Sequence, residues 1–304
     1  MSPISKQIID QIPQFEGINI NDLKFKRLGG LTNLVYRVKA LDKTYLLRVA
    51  GEGTEAYIDR TVEAHNAQIA AETGVSAAVL YVDSTSGLML ADYLDGCVTM
   101  SAENFKTRKG SAARAGHIMK KLHDCGKNFE FRFELFSMID EYLNTLKKLE
   151  AKLPEGYHDI VKQAEPVQRA LERYPAPLAP CHRDPLAENF LDNGERMWMV
   201  DWEYSGMNDP LWDLGDLSVE ANFSETQDMQ MLNAYCEGEV SANALGRMVI
   251  YKAMSDLLWT LWGLIQHASN NPAEDFWAYS IARFERCKQL MGKAEFDGHV
   301  NAIK

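Results

Sequence analysis

Cys181-His182-Arg183-Asp184-Pro185-Leu186-Ala187-Glu188-Asn189-Phe190-Leu191 is the stretch on which the reading of this chain turns. Beyond it lies Met197-Trp198-Met199-Val200-Asp201-Trp202-Glu203-Tyr204. Between the two, Asp192-Asn193-Gly194-Glu195 is a turn signal, because Asn-Gly tolerates positive φ. Residues 189–191 and 196–202 then read as the paired strands of a hairpin. Asn189 and Asp201 sit at its open ends and should face one site. Asp184 lies in the loop feeding the first strand and approaches from the same side. Upstream, Pro175-Ala176-Pro177-Leu178-Ala179-Pro180 ends a helical run, since proline removes an N–H and the helical geometry.

These residue types suit one chemistry. Phosphoryl transfer demands positioning and charge neutralisation more than covalent help. Magnesium takes oxygen ligands in near-octahedral geometry. Asn189 offers a neutral carbonyl oxygen and Asp201 a carboxylate, so both are candidate metal ligands. Asp184 is the candidate base, orienting an acceptor hydroxyl and taking its proton late in transfer. An ordinary aspartate pKa suffices for that, and such help is worth about 10²–10⁴-fold. An isolated D-x4-N is common by chance; H-R-D-x4-N joined to D-W-E across a hairpin is far rarer. The pattern implies an ATP-dependent phosphotransferase using Mg2+. No His/Cys cluster gives His182 a metal role, so it should hydrogen-bond the backbone around Asp201, with Arg183 also structural.

The first third of the chain offers a nucleotide side. Gly29, Gly30, Thr32 and Asn33 stand between apolar runs and can close over phosphates, although two glycines also make an ordinary tight turn. Neither G-x4-G-K-[ST] nor G-x-G-x-x-G before a helix is present, which removes the usual mark of the P-loop and dinucleotide classes. Arg48 ends the apolar strand Tyr45-Leu46-Leu47-Arg48-Val49, where a charge needs a partner; Glu63 on the following helix is the candidate. The pair would hold arginine against the α and β phosphates.

A chain of 304 residues predicts two units. Apolar β-branched runs around Leu41-Asp42-Lys43 predict a hairpin, 58–72 a helix stopped by Gly74, and 79–82 and 88–93 two strands. Near Asp95-Gly96 the composition changes: helices are expected over 112–124, 136–152 and 160–174, and over most of the chain after Asp201. Residues 1–95 thus read as a β-rich nucleotide-binding lobe and 96–304 as a helical catalytic and acceptor lobe. Lys and Arg number 32 against 43 Asp and Glu, for a net charge of −11, which argues against nucleic-acid backbone binding. The same balance is compatible with a cationic substrate, although solubility alone accounts for the acidity of many proteins. Cys97, Cys125, Cys181, Cys236 and Cys287 lack metal-site spacing and read as reduced thiols of a cytoplasmic protein. The first residues lack a signal-peptide core. No run of about 18 apolar residues occurs, so no stable membrane insertion is expected.

Together these residues resemble the eukaryotic-like kinase superfamily in its small-molecule branch, which holds the aminoglycoside phosphotransferases and the choline/ethanolamine kinases. The likeness to the latter is closer, especially to bacterial choline kinases. Three segments carry it. Leu46-Leu47-Arg48-Val49-Ala50-Gly51 resembles the strand in which arginine replaces the lysine of protein kinases. Asp201-Trp202-Glu203-Tyr204, continuing through Asn208, Asp213 and Asp216 to Glu220, resembles the family's D-[FW]-E-Y signature. Trp259 and Trp262, with Tyr279 later, resemble the aromatic residues of its choline pocket. The resemblance implies an α+β, bilobal, protein-kinase-like fold with Mg-ATP between a β-rich and a mostly helical lobe. It implies Asp184 as base, Asn189 and Asp201 on magnesium, and Glu203 as a carboxylate beside the metal. The chain departs from the pattern at Arg183, where choline kinases usually carry asparagine, and at Pro185. It also lacks the tyrosine cluster of some relatives after Glu220, which bears on the pocket.

Aromatic faces around a quaternary ammonium contribute about 0.5–2 kcal/mol each. Trp259 and Trp262, three apart on an apolar helix, share one face. Periodicity alone favours core packing for them; the resemblance favours the pocket. Glu220 or Asp216 would add charge, while Trp212 and Trp277 read as packing. The leading expectation is phosphorylation of choline, a small cationic alcohol, to phosphocholine. The alternatives are an ethanolamine, thiamine or aminoglycoside kinase of the same fold, or a non-catalytic nucleotide- or ligand-binding relative. A protein kinase lacks support, because D-F-G and A-P-E are absent.

Overall fold

The computed structural model describes residues 4–29, 33–51 and 58–304. Gly30 and Thr32 of the expected phosphate loop lie outside the described residues. A short helix α1 (Lys6–Ile9) leads into a five-stranded antiparallel sheet. Its strands are β1 (Lys24–Gly29), β2 (Asn33–Ala40), β3 (Lys43–Ala50), β4 (Val79–Asp83) and β5 (Leu88–Asp92), in the order β1-β2-β3-β5-β4. The predicted hairpin is β2–β3, with Val35 opposite Arg48. Val38, Leu47 and Leu90 are fully enclosed on its inner face. Helix α2 (Arg60–Glu72) begins where the Asp59 side chain accepts the N–H groups of Thr61 and Val62, and it stops at Gly74, whose φ is +68°.

The second lobe is helical. After β6 (Val98–Thr99) come α3 (Ala102–Thr107), α4 (Ser111–His123), α5 (Leu135–Lys148), α6 (Tyr157–Gln163) and α7 (Glu165–Arg173). The short strands β7 (Ala179–Cys181), β8 (Phe190–Asp192), β9 (Met197–Met199) and β10 (Gly206–Asn208) follow. Then come α8 (Leu211–Glu220), α9 (Glu225–Cys236), α10 (Ala242–Ala268), α11 (Phe276–Met291) and α12 (Phe296–Ala302). Helix α10 is long and apolar enough to cross a membrane, but 78% of that window is buried inside the protein. It is the axis of the lobe: α5, α8, α11 and α12 pack around it. Leu257, Leu258 and Leu261 on α10 are fully enclosed, and each such side chain contributes about 1.5–3 kcal/mol through burial.

Three expected elements differ. The helix expected over 160–174 is two helices, because Pro166 at the start of α7 has no N–H to give the preceding turn. The helix expected over 136–152 ends at Lys148, and Glu150 takes φ +51°. The returning hairpin strand is only Met197–Met199, since Asp201 adopts φ +69°, outside any strand conformation.

Gly116 sets how closely α4 meets α9: a Cβ there would fall on the Met231 carbonyl oxygen. Gly116→Ala should therefore lower stability by about 1–3 kcal/mol through overpacking, read as an earlier denaturation midpoint with unchanged slope.

Candidate active site

The loop that carries Asp184, Asn189 and Asp201 is held at both ends. Strand β7 pairs antiparallel with β10, Cys181 opposite Gly206, so residues 182–205 leave and return at one place. Within it, β8 and β9 form the predicted hairpin, with Phe190 opposite Met199. The Val200 N–H donates to the Asn189 carbonyl at 3.0 Å, which brings Asn189 and Asp201 to the same open end. Asn189 itself belongs to a 3-10 turn, Ala187–Asn189, just before the strand. Its Nδ2 donates to the Asp184 carbonyl at 2.9 Å, turning Oδ1 the other way.

Asp213 anchors the front of the loop. Its carboxylate accepts the N–H of His182 at 2.7 Å and of Arg183 at 2.8 Å. His182 is enclosed, and its Nε2–H donates to the Val200 carbonyl at 2.8 Å, the backbone role expected of it. Arg183 has φ +68°, a costly conformation for a β-carbon residue. Its guanidinium donates to the Tyr204 carbonyl at 2.7 Å and lies 3.8 Å from the Phe133 ring centre, while Trp212 Nε1 donates to its carbonyl at 3.0 Å. Arg183 is thus a strut inside the loop. Burial pulls it down to about 10.

Across the cleft, Arg48 and Glu63 form the expected ion pair. A larger network surrounds them. Arg60 Nη1 donates to Glu63 Oε2 and to Glu203 Oε1, each at 2.7 Å, and Asn33 Nδ2 donates to Glu203 Oε1 at 2.8 Å. Asn33 is buried, so its side chain serves the lobe junction rather than an open phosphate. Glu203 is likewise occupied by N-lobe donors. Among the described residues, the one ion pair of Asp201 is a 4.0 Å approach from Arg48. Carboxylate oxygens of Glu63, Asp201 and Glu203 all lie within 4.8 Å of one another. Burial raises the Asp201 pKa, and Glu203 adds to this, even though 40% of the side chain faces the cleft. Asp184 is pushed up to about 8, first by burial, then by the negative Glu220 and Asp201. In the free protein Asp184 thus lies above the ordinary aspartate value that would already suffice for a base acting late in transfer.

An aromatic cluster stands beside the loop. Tyr204 meets Trp259 edge to face at 5.8 Å, Trp259 meets Trp262 at 6.2 Å, and Trp262 meets Tyr279 at 5.9 Å. Gly263 permits this: a Cβ there would strike Ser280 and Tyr279 on α11. Trp259 is buried, while Trp262 and Tyr279 are half-buried. Glu220, expected to offer charge to the acceptor, is paired with Arg283, whose guanidinium also sits 4.4 Å from the Tyr279 ring centre. The neighbouring carboxylate, Asp216, accepts a bond from Trp259 Nε1 at 3.3 Å. Trp212 is packing, as expected. Arg60 and Arg283 are not legible as site residues in the sequence, because the carboxylates that tie them to the site, Glu203 and Glu220, lie 143 and 63 positions away. The D-W-E-Y run did contain a signal for Tyr204.

A β-rich lobe facing a helical one across this loop defines a protein-kinase-like phosphotransferase. The comparisons take the class further: the chain belongs to the phosphotransferase enzyme family, whose profile matches residues 24–251, and within it to the choline/ethanolamine kinases. A choline/ethanolamine kinase family protein of Mesorhizobium loti is similar at 54% identity and TM-score 0.89, covering 98% of this chain and 97% of its own. Choline kinase LicA of Streptococcus pneumoniae is 27% identical with TM-score 0.76, covering 94% and 98%. Ethanolamine kinase 2 of Mus musculus is 26% identical, covering 90% of this chain and 77% of its own. The chain is a small-molecule kinase.

Linkage fixes the sign of a pH effect. A carboxyl held above its reference value of 3.8 binds its proton more tightly in the folded state. That stabilisation is complete below the reference value and is lost as pH rises through about 8. Asp184→Asn should therefore melt progressively higher than wild type as pH rises from about 5 to about 8.5 without Mg2+ or nucleotide. A melting difference that stays flat across that range would remove the shift.

Proposed function

We propose that this kinase transfers the γ-phosphoryl group of ATP to the hydroxyl of a small cationic amino alcohol, with choline as the acceptor and phosphocholine as the product. The observation that carries the reading is that one loop supplies both sides of the reaction. Asp184 and Asp201 are on it, and Tyr204, three residues on, is the first member of the aromatic cluster. A quaternary ammonium cannot donate a hydrogen bond, so aromatic faces are its natural recognition surface.

In this mechanism the acceptor hydroxyl lies against Asp184. Its oxygen bonds to the γ-phosphorus as the bond to the β,γ-bridging oxygen breaks and ADP departs. The hydroxyl proton passes to the Asp184 carboxylate late in that step. Arg48, held by Glu63, faces the α and β phosphates. The donor set suits Mg2+: Asn189 Oδ1 and the Asp201 carboxylate are hard oxygens at one hairpin mouth. Glu203 is better read as a lobe latch, because its Oε1 already takes two donors. Bound there, the ion would neutralise phosphate charge.

Turnover of ATP across choline, ethanolamine, thiamine and an aminoglycoside tests the assignment. Choline should give the highest kcat/KM; a dead choline lane beside a live alternative moves the acceptor and leaves the kinase. Asp184→Ala should cut kcat by about 10²–10⁴-fold with nucleotide affinity kept, checked by steady-state rates and nucleotide titration. Trp259→Ala should chiefly raise the choline KM, about 2- to 30-fold for a contact of this kind. A fall in kcat with KM unchanged would return Trp259 to the core.

A further inference from the structure

The carboxylates around the aromatic cluster are not all supplied with cations. Arg283 is shared between Glu220 and Asp256, reaching Asp256 Oδ1 at 3.3 Å. Arg286 gives Asp256 two further bonds of 2.6 Å. Two guanidinium groups thus answer two carboxylates, and Asp216 is left over. None of the ion pairs among the described residues includes it. It lies on α8 one turn before Glu220 and is fully enclosed. Oδ2 takes the single bond from Trp259 Nε1, while Oδ1 is buried with no hydrogen-bond partner among the described residues. Burial, and then the negative Glu220, push this carboxyl well above its ordinary range.

A buried carboxyl with no ion pair and no second donor among the described residues, and only the longer-range charge of Arg283 in its favour, is costly to the free protein. Such a local violation is expected where a ligand completes the arrangement. Here the group abuts the indole of Trp259, which is also a member of the aromatic cluster. Asp184, the base, is among the charges felt at its position. Glu220, although its charge is felt at Asp184 and Asp216, is already committed to an ion pair with Arg283. We infer that Asp216, rather than Glu220, is the counter-ion of the acceptor's ammonium group and sets the pocket's preference for cationic over neutral alcohols. The inference rests on the amino-alcohol reading above. It adds a counter-charge to the cation–π attraction of the aromatic residues.

The probe pair is choline and 3,3-dimethylbutan-1-ol, in which carbon replaces the charged nitrogen without changing the shape. Wild type should favour choline in kcat/KM by about thirtyfold or more, the size of a desolvated charge contact. Asp216→Asn keeps the acceptor for Trp259 and removes the charge. Its choline kcat/KM should fall until the ratio between the two alcohols collapses several-fold towards unity. The neutral alcohol should lose far less. The same variant should melt higher than wild type without ligand at neutral pH, because the cost of keeping an enclosed carboxyl from ionising is gone. Asp216→Ser repeats the measurement if the amide variant does not fold. A folded variant that keeps the wild-type ratio overturns the inference. So does a variant that melts lower and loses both alcohols equally, which is the mark of a structural residue. A wild type that uses both alcohols equally overturns it too. Wild type inactive on every amino alcohol but active on another hydroxyl compound sinks the amino-alcohol reading itself, and the inference with it.

Discussion

Two backbone N–H groups pointing at one enclosed carboxylate organise this molecule. Asp213, on α8, takes the amides of His182 and Arg183 and is itself held by His123 Nε2 at 3.1 Å. His123 is tied in turn to the Tyr235 hydroxyl at 3.0 Å. A carboxylate with that many donors resists displacement, and charge-assisted bonds of this kind are roughly twice as strong as neutral ones. It makes a left-handed arginine tolerable, and that conformation delivers Asp184 to the cleft. From the same anchor, His182 reaches Val200 and so sets the residue before Asp201. The two strained non-glycine residues of the loop, Arg183 and Asp201, lie on either side of this one fixture.

The junction between the lobes is built differently. It is a chain of alternating charges, Arg48, Glu63, Arg60 and Glu203, closed by Asn33. The four charged side chains are each less than a tenth exposed, so each member depends on the next for solvation. Removing one would leave an uncompensated neighbour, which makes the network a stringent condition on the approach of the lobes more than a source of stability. Asp201 stands just outside that chain, which leaves it a carboxylate with little commitment to a protein cation.

Local chemistry was legible in the sequence; long-range commitment was not. The hairpin announced itself through Asn193-Gly194, the helix stop through Gly74, and the Arg48–Glu63 pair through the anomaly of a charge on an apolar strand. Pro166 was an available signal for a helix break that periodicity alone overlooked. The site residues whose surroundings could not be foreseen share one property. Asn33, Glu203 and Glu220 are polar groups whose partners lie on other elements, and nothing in a polar side chain's own neighbourhood says which distant donor will reach it. The hairpin pattern puts Asp201 at a strand end. Its left-handed backbone follows from the tertiary closure of the loop, which no window of sequence contains.

The family profile stops at residue 251, whereas Trp259, Trp262 and Tyr279 come later, on α10 and α11. On the proposed function, the groups that would move a phosphoryl group and most of the surface that would choose its recipient occupy successive portions of the chain. Gly263 makes the later portion a close-fitting pair of helices, with Tyr204 joining it to the loop. On that proposal, editing one helical hairpin would retailor the recipient while leaving the reaction intact, with Tyr204 the narrow bridge through which such edits must remain compatible with the loop.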